Sequence, residues 1–344
     1  MTDMNYTRLG HSGLIVSRLA LGTMTFTLGS DFIPGIANTG KDDAKRMVDM
    51  AIDAGVNFFD SADGYSGGDA EKILGAALNR KRQNAIICTK LGFRQSERIT
   101  DAGLCRGHIM ASVNGCLERL NTDWIDLLVV HKTDFTTPLE ETLAALNDVV
   151  KQGKVRYLGC SNWPAWQVAR AVQMQKDMGF SPFIAGQYLY NVVARDIEKD
   201  VLPMSKAMGL GLMAWSPLAG GLLTGKYDIS DLQAEDGRLS EGDFLGTNPC
   251  QAEAAIKALS TSAEAHNASL AQVALAWILN QSQNHTVIVG ANKIGQLETS
   301  LVSTGITLTA DEIEKIGAAA APVRRYPEWF DDMMTDETHM KALA

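Results

Sequence analysis

Short apolar segments alternate with longer helical patterns along almost the whole chain, and this alternation restricts the possible folds most. There are eight such segments, and several, such as Ala-Ile-Ile-Cys at 85–88, are continuously apolar. Continuous apolar runs are typical of parallel strands buried on both faces. The predicted strands are 18–22, 57–60, 85–90, 125–131, 155–160, 184–188, 212–215 and 286–290, and the predicted helices are 45–54, 70–78, 106–120, 142–151, 166–178, 196–208 and 270–279.

Eight strands separated by helices fit either an open doubly wound sheet or a closed (β/α)8 barrel. No G-x-G-x-x-G follows the first strand, and its absence disfavours the open, dinucleotide-binding sheet. We therefore predict an α/β protein with a single (β/α)8 TIM barrel domain over residues 1–344. Residues 5–16, with turn glycines Gly10 and Gly13, should form a hairpin closing the opposite end. The long connections 23–41 and 220–249 should lie at the C-terminal face, and the tail 322–344 shows no clear period.

Charge and cysteine content exclude several classes of function. The 344-residue chain has 31 basic and 40 acidic residues, a net charge of −9, which argues against a nucleic-acid or membrane-surface partner. Five scattered cysteines give no C-x-x-C pair, so we predict no metal site. The first residues lack an apolar signal-peptide core, and the longest apolar run, 273–279, is too short to span a membrane. We expect a cytosolic protein with a small-molecule partner.

Four polar residues fall at or just beyond the carboxyl ends of three predicted strands. Asp60, Lys90 and His131 end strands two, three and four, and Tyr65 follows five residues after Asp60. In a barrel these ends share one face. A lysine beside a tyrosine favours the phenolate and lowers the phenol pKa, while a carboxylate orients the lysine. A tuned phenol can then protonate a carbonyl oxygen that an imidazole also contacts.

Each of these residues also has an ordinary structural interpretation. Lys90 could be a solvated strand end, Asp60 a helix cap, Tyr65 a loop-packing side chain and His131 a core histidine. Their common placement at one face favours a catalytic site.

Several motifs follow one another in the order of a known family. Phe59-Asp60-Ser61-Ala62-Asp63-Gly64-Tyr65 resembles the F-D-T-A-x-x-Y signature of the aldo-keto reductase superfamily. Further matches are Leu21-Gly22-Thr23-Met24, Cys88-Thr89-Lys90, Val130-His131, Gly159-Cys160-Ser161-Asn162, Gln187 and Ala214-Trp215-Ser216-Pro217-Leu218. The resemblance covers about residues 5 to 320, and W-S-P-L is similar to the bacterial branch related to potassium-channel beta subunits.

The resemblance implies an oxidoreductase that interconverts carbonyl compounds and alcohols by hydride transfer with NADPH. It assigns Tyr65 as general acid, Lys90 as its pKa partner, Asp60 as support for Lys90, and His131 as the group that polarises the carbonyl. It places Met24, Tyr65, His131 and Trp163 around the substrate. The aromatic residues near the predicted pocket suggest a bulky or apolar carbonyl compound.

The resemblance also implies the cofactor contacts. Ser161, Asn162 and Gln187 would hold the carboxamide, and Trp215 would stack on the nicotinamide. The other implied cofactor residues are Gly22, Thr23, Met24, Asp60, Ser216, Pro217, Leu218, Gly220, Arg238, Gly290, Asn292, Lys293 and Gln296. Lys226, in the glycine-rich run 220–227, is a further candidate ligand of a cofactor phosphate. Lys293 and Arg238 would favour NADPH over NADH by binding the 2′-phosphate. The match departs at Gln296, where some branches carry arginine, and at Thr299 and Ser300, where the family often has glutamate and asparagine against the adenine.

Other functions fit parts of the sequence. The run Gly220–Tyr227 nearly spells the Walker A phosphate-binding loop, but Tyr227 replaces the magnesium-binding Ser or Thr. Lys90 could instead form a Schiff base in an aldolase. A third alternative is a redox-sensing subunit that binds the nucleotide and turns over slowly, although the presence of His131 favours catalysis. The sequence does not indicate an oligomeric state.

Overall fold

Eight parallel strands close into a barrel in the computed structural model, which describes residues 4–29, 36–227, 248–324 and 326–343. The strands are β3 (Leu19–Gly22), β4 (Phe58–Asp60), β5 (Ile86–Leu91), β6 (Ile125–Val130), β7 (Val155–Ser161), β8 (Phe183–Leu189), β9 (Gly211–Trp215) and β10 (His285–Gly290). Each pairs with the next in the chain, and β10 also pairs with β3 to close the ring. The predicted (β/α)8 barrel is confirmed, and every predicted strand overlaps an observed one.

Helices cover the outside of the barrel. They are α1 (Lys41–Asp53), α2 (Asp69–Leu78), α3 (Arg106–Leu120), α4 (Leu139–Lys151), α5 (Ala165–Asp177), α6 (Val201–Met208), α7 (Pro249–Ala265), α8 (Leu270–Gln281), α9 (Ile294–Leu301), α10 (Ala310–Ala319), α11 (Glu328–Met334) and α12 (Glu337–Leu343). The predicted helices do not include α7, α9 or α10, and no period was found in the tail, which contains α11 and α12. Among the described residues, no helix combines the length and apolar character needed to cross a bilayer.

Strand parity determines which side chains fill the barrel. Successive residues of a strand point to opposite faces, so one residue in two enters the interior and the other packs under the helices. The interior core is a separate apolar cluster: Leu9, Val16, Ala20, Phe58, Cys88, Leu127, Val129, Ile184, Ala185, Met213 and Ile288. Two positions beyond Phe58 on the same face lies Asp60, and two beyond Cys88 lies Lys90. The interior face of each strand therefore ends in a residue at the C-terminal mouth.

The predicted hairpin closes the other end of the barrel. Strands β1 (Tyr6–Arg8) and β2 (Ile15–Ser17) pair antiparallel, and the Leu9 and Val16 side chains are part of the interior core. His11 N donates to Gly209 O (2.8 Å), just before β9. Gly10 has a φ of +59°, and a Cβ there would clash with the Ile184 and Gly209 carbonyls. Only glycine suits this close contact.

Arg18 joins the start of the barrel to one of its last helices. Its buried guanidinium donates to the carbonyls of Leu279 and Ser282, at the end of α8, and its Nε donates to His285 O (3.4 Å). The last carbonyls of a helix have no partners within the helix, and a buried cation there satisfies them and complements the helix dipole. Arg18, which directly precedes β3, thereby ties the first barrel strand to the end of α8 and the start of β10.

Candidate active site

The polar residues of the mouth come from the interior face of several strands. Asp60 ends β4, Lys90 lies near the end of β5, and Gln187 lies on β8. All three are buried, with the Lys90 side chain fully so. Gln187 Nε2 donates to Asp60 Oδ1 (2.9 Å), and Lys90 Nζ donates to Asp60 Oδ2 (2.7 Å). A buried charge is tolerated when it is paired and hydrogen-bonded, and here both carboxylate oxygens of Asp60 are occupied.

The Lys90 ammonium has three partners for its three hydrogens. Besides Asp60, it donates to Ser61 O (2.7 Å) and to the Tyr65 hydroxyl oxygen (3.2 Å). Burial alone would lower the pKa of Lys90, but the Asp60 carboxylate and the Tyr65 oxygen raise it above the ordinary value. Lys90 is therefore charged and donates to the phenol oxygen, so the proton of Tyr65 must point away from Lys90.

Tyr65 lies on a short, tightly constrained segment between β4 and α2. The 3₁₀ turn Tyr65–Gly68 contains two left-handed residues, Ser66 and Gly67, and Gly68 is also left-handed with φ +91°. Ser66 Oγ donates to Phe26 O (2.9 Å), which ties the turn to the connection after β3. A Cβ at Gly68 would clash with the Arg119 side chain of α3, 2.5 Å from its Cδ. The turn that carries Tyr65 is thus held by the connection after β3 and packed closely against α3.

Burial and charge act on the Tyr65 phenol in opposite directions. Burial raises the pKa of Tyr65 above that of a free phenol, and the Lys90 charge partly offsets this increase. The adjacent lysine alone predicts a lowered pKa for Tyr65, and this prediction is wrong for the net shift. The correction strengthens the assignment as an acid, because Tyr65 retains its proton through the physiological range.

His131 stands immediately beyond β6, next to Tyr65. The two ring centres are 5.8 Å apart in an edge-to-face arrangement, and the centre of the Phe93 ring lies 4.4 Å from that of the imidazole. Burial, together with the Lys90 and Lys132 charges, holds the pKa of His131 well below its usual range, so the ring is neutral. Its Nδ1 is buried without a hydrogen-bond partner among the described residues. We therefore expect the proton on Nε2, where it can be donated to a ligand.

A chain of hydrogen bonds runs from the opposite side of the mouth back to Asp60. Trp215 Nε1 donates to Asn162 Oδ1 (3.2 Å), and Asn162 Nδ2 donates to Ser161 Oγ (2.9 Å). Ser161 Oγ donates to Gln187 O (2.9 Å), and the Gln187 side chain reaches Asp60. Asn162 adopts φ +59° and also donates to His131 O (3.2 Å). These contacts fix the Trp215 indole and the Asn162 amide relative to His131 and Asp60.

The loop after β9 turns sharply beside Trp215. Ser216, Ala219, Gly220 and Gly221 all have positive φ values, and Gly220 N donates to Ser216 Oγ (3.3 Å). Since the Ser216 oxygen accepts this bond, its own hydroxyl hydrogen can be donated to a ligand. Successive turns of this kind expose backbone N–H groups and favour bound anions.

The turn after β10 forms a second open surface. A Cβ built on Gly290 or Gly295 would meet no atom within 4 Å. Gln296 Oε1 accepts from the backbone N–H groups of Asn292 (2.9 Å) and Lys293 (3.2 Å), so this residue shapes the turn. Lys226 and Lys293 are exposed on their respective loops. Arg238 lies outside the described residues.

Trp163 and Met24 are two of the residues predicted to surround the substrate. Trp163 is buried, packs edge-to-face on Phe183 at 5.7 Å, and belongs to the core between barrel and helices, so the structure does not bring it to the mouth. Met24 is half-buried just beyond β3. Phe93, which the sequence analysis did not select, lies at the mouth. Its only signal in the sequence is an aromatic residue three positions after Lys90.

A buried acidic pair behind Tyr65 was also missed. Asp63 is buried with neither carboxylate oxygen hydrogen-bonded among the described residues. Burial, with the Glu71 charge, raises the pKa of Asp63 to about 8. Glu71 is buried too, but it pairs with Arg119 Nε at 2.7 Å and accepts from Thr89 Oγ1 at 2.5 Å. Asp63 is therefore protonated near neutral pH, and Glu71 is compensated.

The residues fit a nicotinamide dinucleotide better than a metal. The described residues contain no cluster of three or more His, Cys, Asp or Glu placed to hold a metal ion. By contrast, the mouth offers an indole, fixed amides, an anion-favouring turn and two loop lysines. Ser161, Asn162, Gln187, Trp215 and the loops after β9 and β10 are the parts that could hold such a cofactor.

Comparison with known proteins agrees with the geometry. The model of the Aldo/keto reductase family matches residues 18–321. A probable voltage-gated potassium channel subunit beta from Oryza sativa subsp. japonica is 35% identical over 324 residues, covering 92% of this chain and 96% of that protein. Versiconal hemiacetal acetate reductase from Aspergillus parasiticus is 32% identical over 345 residues, covering 94% and 99%. The chain is a member of the aldo/keto reductase family.

Proposed function

We propose that this protein reduces aldehydes or ketones to alcohols with NADPH, and can run the reverse reaction, with Tyr65 as the acid–base group. The observation that carries the proposal is the set of contacts made by the buried Lys90 ammonium. Because Lys90 donates to the Tyr65 oxygen, the phenol O–H is left to donate to another group. A substrate carbonyl oxygen at the mouth is that acceptor in our proposal.

The two rings at the mouth act on the same oxygen. Tyr65 supplies a proton and the neutral His131 donates a second hydrogen bond, which stabilises the negative charge that develops on oxygen. When bound, the reduced nicotinamide supplies the hydride that adds to the carbonyl carbon. As Tyr65 loses its proton, the adjacent Lys90 charge, held by Asp60 at 2.7 Å, stabilises the phenolate. The raised resting pKa of Tyr65 keeps the proton in place until the oxygen becomes basic.

The remaining residues orient the cofactor. Trp215 offers an aromatic face held by Asn162, and Gln187 keeps its side-chain oxygen and one N–H for the carboxamide because it uses only one N–H on Asp60. Further proposed cofactor contacts come from the ends of β3 and β9 and the loops that follow them: Gly22, Thr23, Met24, Ser216, Pro217, Leu218 and Gly220. The proposed phosphate and adenosine side consists of Lys226, Gly290, Asn292, Lys293 and Gln296. The family resemblance adds Arg238, which lies outside the described residues, and in our proposal Lys293 and Arg238 favour NADPH.

Two other activities can be compared with this one. A Schiff-base aldolase needs a neutral lysine amine, and the raised pKa of Lys90 with three occupied hydrogens opposes that role. A nucleotide-binding subunit with slow turnover is favoured by the relatives named as potassium channel beta subunits. It predicts cofactor binding without appreciable reduction of any carbonyl compound.

The test combines turnover with binding. Purified protein is offered NADPH or NADH with a panel of aldehydes and ketones, and loss of the reduced-nicotinamide absorbance is followed. Titration by tryptophan fluorescence measures both dissociation constants independently of turnover. Multiple-turnover reduction with tighter NADPH binding supports the proposal. Binding without turnover on any substrate favours the sensing subunit, and no binding of either nucleotide contradicts both.

A further inference from the structure

A second lysine stands at the mouth beside the catalytic histidine. Lys132 directly follows His131 and is exposed. Its ammonium lies 5.4 Å from the centre of the Phe93 ring, and that ring lies 4.4 Å from His131. The Lys132 charge also contributes to the low pKa of His131, so the ammonium is close enough to act on the imidazole. Phe93 is thus an apolar surface close to both the Lys132 ammonium and the His131 ring.

The nearest acidic residue in the sequence does not neutralise Lys132. Asp134 Oδ1 accepts from Thr136 N (2.8 Å) and Thr136 Oγ1 (2.5 Å), and its Oδ2 accepts from Leu104 N (2.8 Å) and Thr137 Oγ1 (2.7 Å). These bonds hold the pKa of Asp134 well below its usual range, although burial opposes them. Both carboxylate oxygens of Asp134 are therefore used in these hydrogen bonds. No ion pair within the described ranges involves Lys132.

The neighbouring arginine is engaged elsewhere. Arg94 Nη1 donates to the carbonyls of Ser96 (3.0 Å) and Arg98 (2.7 Å), which fixes the loop after β5. Because Lys132 forms no ion pair within the described ranges, it provides an uncompensated positive charge at the mouth of a protein whose net charge is −9. A local charge opposite to the overall sign attracts anions to that point.

This position is also remote from the proposed phosphate side. Lys132 follows β6, whereas Lys293 follows β10, and β6 lies opposite β10 in the ring order of the barrel. Phosphates bound at the loops after β9 and β10 would not occupy Lys132. We propose that Lys132 and Phe93 form a substrate subsite, in which Lys132 binds the anionic group of a carbonyl compound whose apolar body packs on Phe93. The proposal rests on the proposed carbonyl reduction and specifies the substrate class.

The test uses aldehydes of similar shape and different charge. Reduction of 4-formylbenzoate is compared with that of its neutral methyl ester at low ionic strength, in the wild type and in Lys132→Met, which keeps the apolar stem. We expect the carboxylate to be preferred by the wild type, and Lys132→Met to lower kcat/KM for it by about three- to tenfold, mainly through KM. The ester should change less than about twofold, and added salt should reduce the wild-type preference. A third aldehyde, 4-formylphenyl phosphate, tells whether carboxylate or phosphate is the better anion.

Matched variants separate charge from structure. Lys132→Arg should retain the preference, and Lys257→Met, at an exposed position of α7, should leave all rates unchanged. Ligand-observed NMR measures the affinities of the same compounds in parallel, so the subsite is tested even if no aldehyde is turned over and the proposed reaction fails. Equal affinities for the carboxylate and ester in the wild type, or a preference that survives Lys132→Met, would overturn the subsite.

Discussion

The two sides of the barrel mouth are built in different ways. On the side of β4, β5 and β8, Asp60, Lys90 and Gln187 are buried and occupy one another's hydrogen-bonding groups at 2.7 to 2.9 Å. On the side of β9 and β10, Lys226 and Lys293 are exposed on loops. Strand positions are fixed by the fold, whereas exposed lysines gain order only from a partner. The first side is therefore ordered by its own contacts, whereas the second, in our proposal, is completed by the cofactor.

Removing the phenol should give the largest effect. We expect Tyr65→Phe to lower kcat by about 10²–10⁴ with little change in the cofactor dissociation constant, because the hydroxyl acts on the substrate oxygen. Steady-state kinetics and tryptophan fluorescence titration measure the two quantities. A variant that kept more than about a tenth of the rate would show that another group supplies the proton.

Removing the lysine tests whether the first side acts as a unit. Lys90→Met removes the charge that opposes the burial-driven rise in the Tyr65 pKa, so the phenol pKa should rise further. We expect kcat to fall by about 10²-fold or more and the alkaline limb of the pH–rate profile to move to higher pH. Thermal unfolding of the variant identifies any general loss of structure. An unmoved pH profile at substantial activity would contradict the coupling of Lys90 to Tyr65.

Substitution on the loop side should alter affinity and spare the rate. We expect Lys293→Ala combined with Arg238→Ala to weaken NADPH binding by about tenfold, leaving NADH binding and kcat near wild type, since only NADPH carries the 2′-phosphate. Lys315→Ala, on the exposed face of α10, is the control. Equal wild-type dissociation constants for the two nucleotides would remove the basis for this assignment.

The smallest effect concerns the buried acid behind Tyr65. The pKa of Asp63 is about 8 in the folded protein against 3.8 for the free side chain. Between these values the folded state holds a proton that the unfolded chain has lost, so this residue makes stability fall as pH rises across the window. We expect Asp63→Asn to reduce by a few degrees the drop in Tm between about pH 5 and about pH 9. Asp42→Asn, on the exposed face of α1, should leave the drop unchanged.

The strand-borne part of the site could be predicted because strand parity is visible in the sequence. Phe58 and Asp60, or Cys88 and Lys90, lie two residues apart, and their common face follows directly. Helix α7 was harder to detect, because an alanine-rich segment has few large apolar residues to show a period. Its helix-forming composition, and the Asn248-Pro249 start that caps it, were the available signals.

Other features depend on three-dimensional placement. Phe93 reaches His131 by the path of a loop without a periodic pattern, beginning at Gly92 with φ +120°. Trp163 follows the left-handed Asn162 and enters the core against Phe183. The direction of the Tyr65 pKa shift is a balance of burial against the Lys90 charge. Only the folded geometry decides that balance.

The contacts of Arg18 bear on the order in which the protein can assemble during synthesis. Asp60, Lys90 and Gln187 leave the ribosome well before α8 and β10, whereas Leu19 must wait to pair with Val287. Until then, the Arg18 guanidinium lacks the Leu279 and Ser282 carbonyls. Contacts so distant in sequence form slowly. The seam between β3 and β10 therefore cannot close before β10 has been synthesised, and a nascent chain exposes its interior there until then.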